Sequence, residues 1–153
     1  MSWLDNYDII DKIQYNADDE TWNAFDDVYP IDELPKAIPH YPIFVVINTH
    51  TKNLPGEHWK AILIKKDKRA EVFDSFALPL NTFTENWLNK FTRKWKNNPR
   101  AYQHPSSALC GAYVLYFILN RLKYANYKTF LKTFSTNTSD NDRMIEKFYR
   151  SLQ

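Results

Sequence analysis

Glycine and cysteine are nearly missing from this sequence. It has two glycines, Gly56 and Gly111, and one cysteine, Cys110, in 153 residues. Two glycines cannot build a phosphate-cradling loop or a dinucleotide-binding fingerprint, which need several positions without a Cβ. One cysteine excludes an internal disulfide framework. With no His-Glu-x-x-His pattern either, no zinc site and no metal is expected. There is no Gly-x-Ser-x-Gly elbow. The longest apolar run, Ala112 to Leu119, falls far short of the ~20 residues a helix needs to cross a bilayer. The opening residues, Met-Ser-Trp-Leu-Asp-Asn-Tyr-Asp, are acidic where a secretory signal is basic. These absences set the expectation of an intracellular protein, neither secreted nor membrane-bound, in a reducing setting.

Charge of one sign is also missing, locally. Residues 1–35 carry ten acids and one base, Lys12, whereas residues 86–139 carry nine bases and no acid. The net charge of +2 hides this. Such blocks bind polyanions, dock on each other, or form two solvated faces.

What is present is an ordinary core. Hydrophobic residues make up 44% and aromatic residues 16%, enough for a folded chain. The length suits a single domain over 1–153. Asn and Lys, 14 each, suggest coding bias in an AT-rich genome.

The periodicities predict an α+β chain. Ser2 caps a first helix with Trp3, Leu4, Tyr7, Ile10 and Ile13 on one face. Residues 16–42 read as acidic, proline-bearing loop with a short strand or turn near Asp27–Ile31. Ile43–Asn48 is a strand and 49–57 a turn. Trp59–Lys65 is a strand apolar on both faces, and Ala70–Phe76 a third, the three forming a meander. Thr84 caps a helix over Glu85–Lys96 with Trp87, Leu88, Phe91 and Trp95 inward. Arg100–Gln103 is a short strand. Cys110 to about Tyr124 is a helix apolar all round, hence buried. Tyr127–Phe134 is a short helix. Asp140 caps a last one, with Met144, Ile145, Phe148 and Leu152 on one face.

Cys110 opens the buried helix. A thiol in the first turn of a helix lies near partly positive backbone N–H groups that favour the thiolate, its nucleophilic form. Cysteine catalysis also needs a base, a group to orient it, and donors for an oxyanion. His58 stands at the start of the second strand and Asp74 at the end of the third. In an antiparallel pair these two ends are adjacent. His58 can then face the thiol with Asp74 holding its ring. His40 and His50 fall in loop segments, and His104 is on the loop before Cys110 without an acid beside it. A lone buried cysteine also serves as packing, and a strand-edge Asp as a turn residue, so spacing alone leaves the triad open.

Gly56-Glu57-His58-Trp59-Lys60-Ala61, Val72-Phe73-Asp74-Ser75-Phe76, and Gln103 seven residues before Cys110-Gly111, with Ile47-Asn48-Thr49 upstream, resemble the adenovirus maturation protease (adenain) family. The same order of His, acid, Gln and Cys-Gly marks the related SUMO-deconjugating proteases. The match covers roughly residues 43–120. The resemblance implies a papain-like cysteine protease fold with rearranged chain order, its central mixed sheet packed against the helix bearing the cysteine. It implies His58 as general base and acid, Asp74 as orienter and Cys110 as nucleophile. Gln103 would donate to the oxyanion beside the Cys110 backbone N–H, with Trp59 and Gly111 in support. Family members in adenoviruses, virophages and Maverick/Polinton elements cleave capsid and core precursors, so virion precursors are the expected substrates. The expected locations are the infected cell and the virion. The AT-biased composition suits a virophage or a transposon-like virus.

Adenovirus enzymes typically carry Glu where Asp74 stands, and Asp suits the SUMO-protease side equally well, so the acid does not separate the two subfamilies. Their activating peptide forms a disulfide with a second cysteine that this chain lacks. The chemistry requires no cofactor, and activation by DNA or a non-covalent peptide stays open. Lys90, Arg93, Lys94, Lys96 and Arg100 are the expected DNA contacts, and a monomer is expected. The other readings are a deubiquitinase or SUMO-type isopeptidase, an acyltransferase using the same triad, and a non-catalytic capsid- or DNA-binding module.

Overall fold

The structure is a computed structural model that describes residues 4–49 and 58–153. In chain order its elements are α1 (Asn6–Asn16), α2 (Asp19–Ala24), β1 (Phe25–Pro30), β2 (Ile43–Asn48), β3 (Trp59–Ile64), β4 (Arg69–Phe73), α3 (Thr82–Phe91), β5 (Lys94–Asn97), α4 (Cys110–Asn120), α5 (Tyr127–Leu131) and α6 (Thr138–Ser151). A 3₁₀ turn, Arg121–Lys123, follows α4. The expected roles of Ser2 and Trp3, the Pro55-Gly56 turn, Glu57 and His50 lie outside the described residues.

The strands form one mixed sheet in the order β1-β2-β3-β4-β5. The central three are the expected antiparallel meander. Parallel strands flank it at both edges. Strand alternation splits the core in two. Phe44, Val46, Trp59, Ala61, Leu63 and Phe73 face a layer built from α1, α4, α5 and α6. Ile43, Val45, Ile47, Ile62, Ile64 and Val72 face the other way, against Trp87 and Leu88 of α3. A sheet covered on both faces needs strands that are apolar throughout, which is why β2 and β3 read as continuous apolar runs.

Helix α4 lies between β3 on one side and α1 and α6 on the other, so its all-round apolar character is satisfied by burial. Its far end is pinned by a buried fork. Arg121 Nε and Nη2 donate to Glu71 Oε1 and Oε2 of β4 at 2.6 and 2.8 Å. Gly111 sits where α1 approaches: a Cβ there would lie 3.0 Å from Leu4 Cδ1. The absence of a Cβ at Gly111 therefore allows close packing of α4.

Several expected boundaries move. The cap of α1 is Asp5, in a reciprocal box with Asp8, and the buried face is Ile9 and Ile13, while Tyr7 is exposed. The segment 16–42 holds a helix, α2, capped by Asp18, and the edge strand β1. The helix expected over Glu85–Lys96 starts on the Asn81 cap and stops at Phe91. Lys94–Asn97 instead joins the sheet as β5, parallel to β4. The third strand ends at Phe73 rather than Phe76. Beyond it, Asn98 captures both backbone groups of Asp74, accepting from its N–H at 2.9 Å and donating to its carbonyl at 2.7 Å, in place of a ladder partner. Arg100–Gln103 is not a strand. The N–H groups of Tyr102 and Gln103 both donate to the one carbonyl of Ser75. Helix α4 ends at Asn120, short of Tyr124, and α5 at Leu131, short of Phe134. The cap of α6 is Asn137, not Asp140.

With so little glycine, left-handed backbone falls to other residues. Lys68 (φ 66°) turns β3 into β4, and Ala77 (φ 51°) sits in the turn after Asp74.

Candidate active site

The β3–β4 register decides which side chains meet. It pairs Ala61 with Phe73 and Ile62 with Val72. Continued beyond the ladder, it sets Lys60 opposite Asp74 and His58 opposite Phe76. The contacts agree: His58 and Phe76 rings lie 5.1 Å apart, centroid to centroid, and Lys60 Nζ lies 3.2 Å from Asp74 Oδ2. His58 reaches diagonally, and its Nε2 lies 2.6 Å from Asp74 Oδ1.

Asp74 is fully buried and saturated with donors. Oδ1 accepts from His58 and from the Phe76 N–H at 2.9 Å. Oδ2 accepts from the Leu78 N–H at 3.0 Å and faces Lys60. Burial pushes its pKa up, but His58, Lys60 and the Phe76 N–H outweigh burial and hold it below the usual carboxylate range. Asp74 is therefore ionised at neutral pH, as the orienter of a histidine must be.

His58 Nε2 is spent on Asp74. Its other ring nitrogen, Nδ1, is buried and is the one left to meet Cys110, whose side chain hydrogen-bonds the ring. With Nε2 held by Asp74, Nδ1 is the ring atom through which a proton can pass. Burial alone would lower the imidazole pKa. Asp74 and Cys110 together outweigh it and raise it to about 9, so the ring is imidazolium at neutral pH. That Cys110 acts on the ring places the thiol beside the His58–Asp74 pair.

Cys110 is buried at the first position of α4. Asp or Asn side chains cap the other five α-helices at Asp5, Asp18, Asn81, Asn126 and Asn137. The residue before α4 is Leu109, which supplies no side-chain cap. Among the described residues, α4 is thus the α-helix whose N-cap residue makes no side-chain capping bond.

Gln103 is buried and clamped from both sides. Its Oε1 accepts from Ser75 Oγ at 2.5 Å, and its Nε2 donates to Ser107 O at 3.0 Å and lies 3.1 Å from Ser107 Oγ. Ser75 follows the acid and Ser107 precedes the cysteine, so the amide sits on a bridge between the two halves of the site. Trp59 is buried in the same core layer as Cys110.

The other histidines lie elsewhere. His40 is exposed and bonds Pro42 O within its own loop. His104 Nδ1 accepts from the Ser106 N–H within the loop before Cys110. Lys90, Arg93, Lys94, Lys96 and Arg100 are all exposed. Among the described residues no group of three or more His, Cys, Asp or Glu is placed to hold a metal.

Sequence reasoning missed Lys60, Asn98, Ser75 and Ser107. Lys60 had a signal. It is the one charged residue in a strand that is otherwise apolar, and a hairpin centred on Asp67 sets residues 60 and 74 opposite each other. Asn98 had none, because its partners are 24 residues away.

No family model matches the sequence, and no curated protein does. Solved structures do. The chain aligns with a crystal structure of the ASFV pS273R protease at 24% identity and TM-score 0.51, over 69% of this chain and 42% of that one. It aligns with the central domain of an uncharacterized Legionella pneumophila protein, Lpg1148, at 10% identity and TM-score 0.52, over 99% of both chains. The mixed α+β fold is thus shared with that protease. The chain spans less than half the length of that protease.

Proposed function

We propose that this chain is a viral cysteine endopeptidase that matures virion precursor proteins. The carrying observation is the buried His58–Asp74 pair, with Cys110 acting on the same ring. The shared fold supports it. In this reading the Cys110 thiolate attacks the scissile carbonyl, and the first turn of α4, with the Gln103 amide, faces the oxyanion. The His58 imidazolium gives its proton to the leaving amine. The neutral ring then takes a proton from water, which attacks the acyl-enzyme and releases Cys110. Asp74 holds the ring throughout. Activation in this reading comes from DNA over Lys90, Arg93, Lys94, Lys96 and Arg100, or from a non-covalent peptide.

The test is incubation with virion precursors, with new ends mapped by mass spectrometry. Cleavage should vanish in Cys110→Ala with the fold intact. Persistence of the same cuts in that variant sinks the reading. Labelling of Cys110 by ubiquitin or SUMO probes, without precursor cleavage, would move it to an isopeptidase.

A further inference from the structure

Beside β5 lies a groove of about 620 Å³ between the stretch Lys96–Tyr102 and helix α5. That size is within the range of ligand-binding sites. Its four charged lining residues, Lys96, Arg100, Lys128 and Lys132, are all cations. None of the four is ion-paired among the described residues. Two are held in place by aromatic rings: Lys96 Nζ lies 5.8 Å from the Tyr127 centroid and Arg100 Cζ 5.5 Å from that of Tyr102. Pro99 and Leu131 add apolar lining.

We infer that this groove binds a carboxylate-rich peptide segment bearing apolar side chains, with its acids on the four cations and an apolar side chain against Leu131 and Pro99. Charge complementarity selects an anion, and the apolar lining selects a peptide over a nucleic acid. Bases bind such surfaces by stacking on open aromatic faces. Here Tyr102 and Tyr127 are each 2% exposed and Phe134 5%, so no open face is offered. The stretch that lines one side of the groove also contains the buried Asn98, which grips the backbone of Asp74, and continues in sequence to Gln103. A substrate segment seated there lies along the strap that holds the acid and the amide. Use of the groove as a substrate exosite rests on the protease reading, whereas binding itself does not.

Fluorescence anisotropy on the Cys110→Ala protein separates the two. The probes are a labelled peptide alternating Glu and Leu, the same peptide with Ser for Leu, and labelled single-stranded and duplex oligonucleotides. The Glu-Leu peptide should bind more tightly than the Glu-Ser peptide. Lys128→Ala and Lys132→Ala should each weaken it by roughly two- to five-fold, the range of exposed charge pairs. The double variant Lys128→Glu/Lys132→Glu should weaken it more than either. No binding of the acidic peptide at low salt overturns the proposal, as does binding indifferent to these substitutions. Preference for an oligonucleotide with the same residue dependence overturns it too, making the groove a nucleic-acid site.

Discussion

Asp74 serves two cations at once. One oxygen faces His58 and the other faces Lys60, a lysine 4% exposed that also donates to the carbonyls of Leu78 and Pro79 at 3.3 Å. Lys60 touches no reacting atom, so it is a positioning residue. Its charge draws on the same carboxylate that stabilises the imidazolium. Removing it leaves the full negative charge acting on His58, so the imidazole pKa should move up from about 9. NMR titration of the His58 ring in Lys60→Met should show that rise, and Lys60→Arg should stay near the parent. A titration that does not move in Lys60→Met reduces the lysine to packing. The alkylation rate of Cys110 gives the matching pH profile. The imidazolium beside the thiol is lost as pH rises through about 9, so the profile should break there in the parent and higher in Lys60→Met.

At the scale of elements, α4 is the part whose placement matters most, since it carries Cys110, the proposed nucleophile, at one end and an anchor at the other. The Glu71–Arg121 fork ties that anchor to β4, the strand that leads into Asp74. Removing one partner strands a buried charge, so Arg121→Ala should cost about 3–5 kcal/mol and lower Tm by roughly 10 °C in thermal unfolding. Glu71→Leu/Arg121→Met should recover much of that, because replacing both charges avoids the stranded one. A single variant as stable as the parent would remove the anchor role. The elements legible in the sequence were those whose pattern was set by burial alone. β2, β3 and α4 are apolar on all sides because all sides are covered, and the order of β3, turn and β4 brought His58 to Asp74. Helix α2 escaped because its six residues bury only Thr21 and Ala24. β5 was absorbed into the helix before it because Trp87, Leu88, Phe91 and Trp95 share a helical spacing. Its alternation of exposed Lys94 and Lys96 with half-buried Trp95 and Asn97 was the competing signal. The pairing of His58 with Asp74 followed from strand direction, whereas spacing alone left the part of Cys110 open. The contacts of Asn98 and of Ser75 with Gln103 depend on long-range loop packing, which no local pattern encodes.

At the scale of the molecule, the fold sorts the two charge blocks to opposite edges of the sheet. Asp18, Asp19, Glu20, Asp26 and Asp27 belong to α2 and β1 at one edge, and Lys94 and Lys96 belong to β5 at the other. Arg69, Arg100, Lys128 and Lys132 border the grooves that flank β5. Among the described residues no ion pair joins the blocks, though Lys123 lies near enough to Asp18 to help lower its pKa, behind the hydrogen bonds from Thr21. The edge strands of a five-stranded sheet stand roughly 19 Å apart at the usual spacing. Opposite charge separated over that width is a permanent electric dipole lying across the strands. A molecule with net charge of +2 should therefore be retained at low salt by both cation- and anion-exchange media, each gripping a different edge. Passage through either one unretarded would show that the dipole is too small to act. Near a polyanionic surface such a dipole exerts a torque, so the β5 edge arrives first and the acidic edge points away before any contact forms.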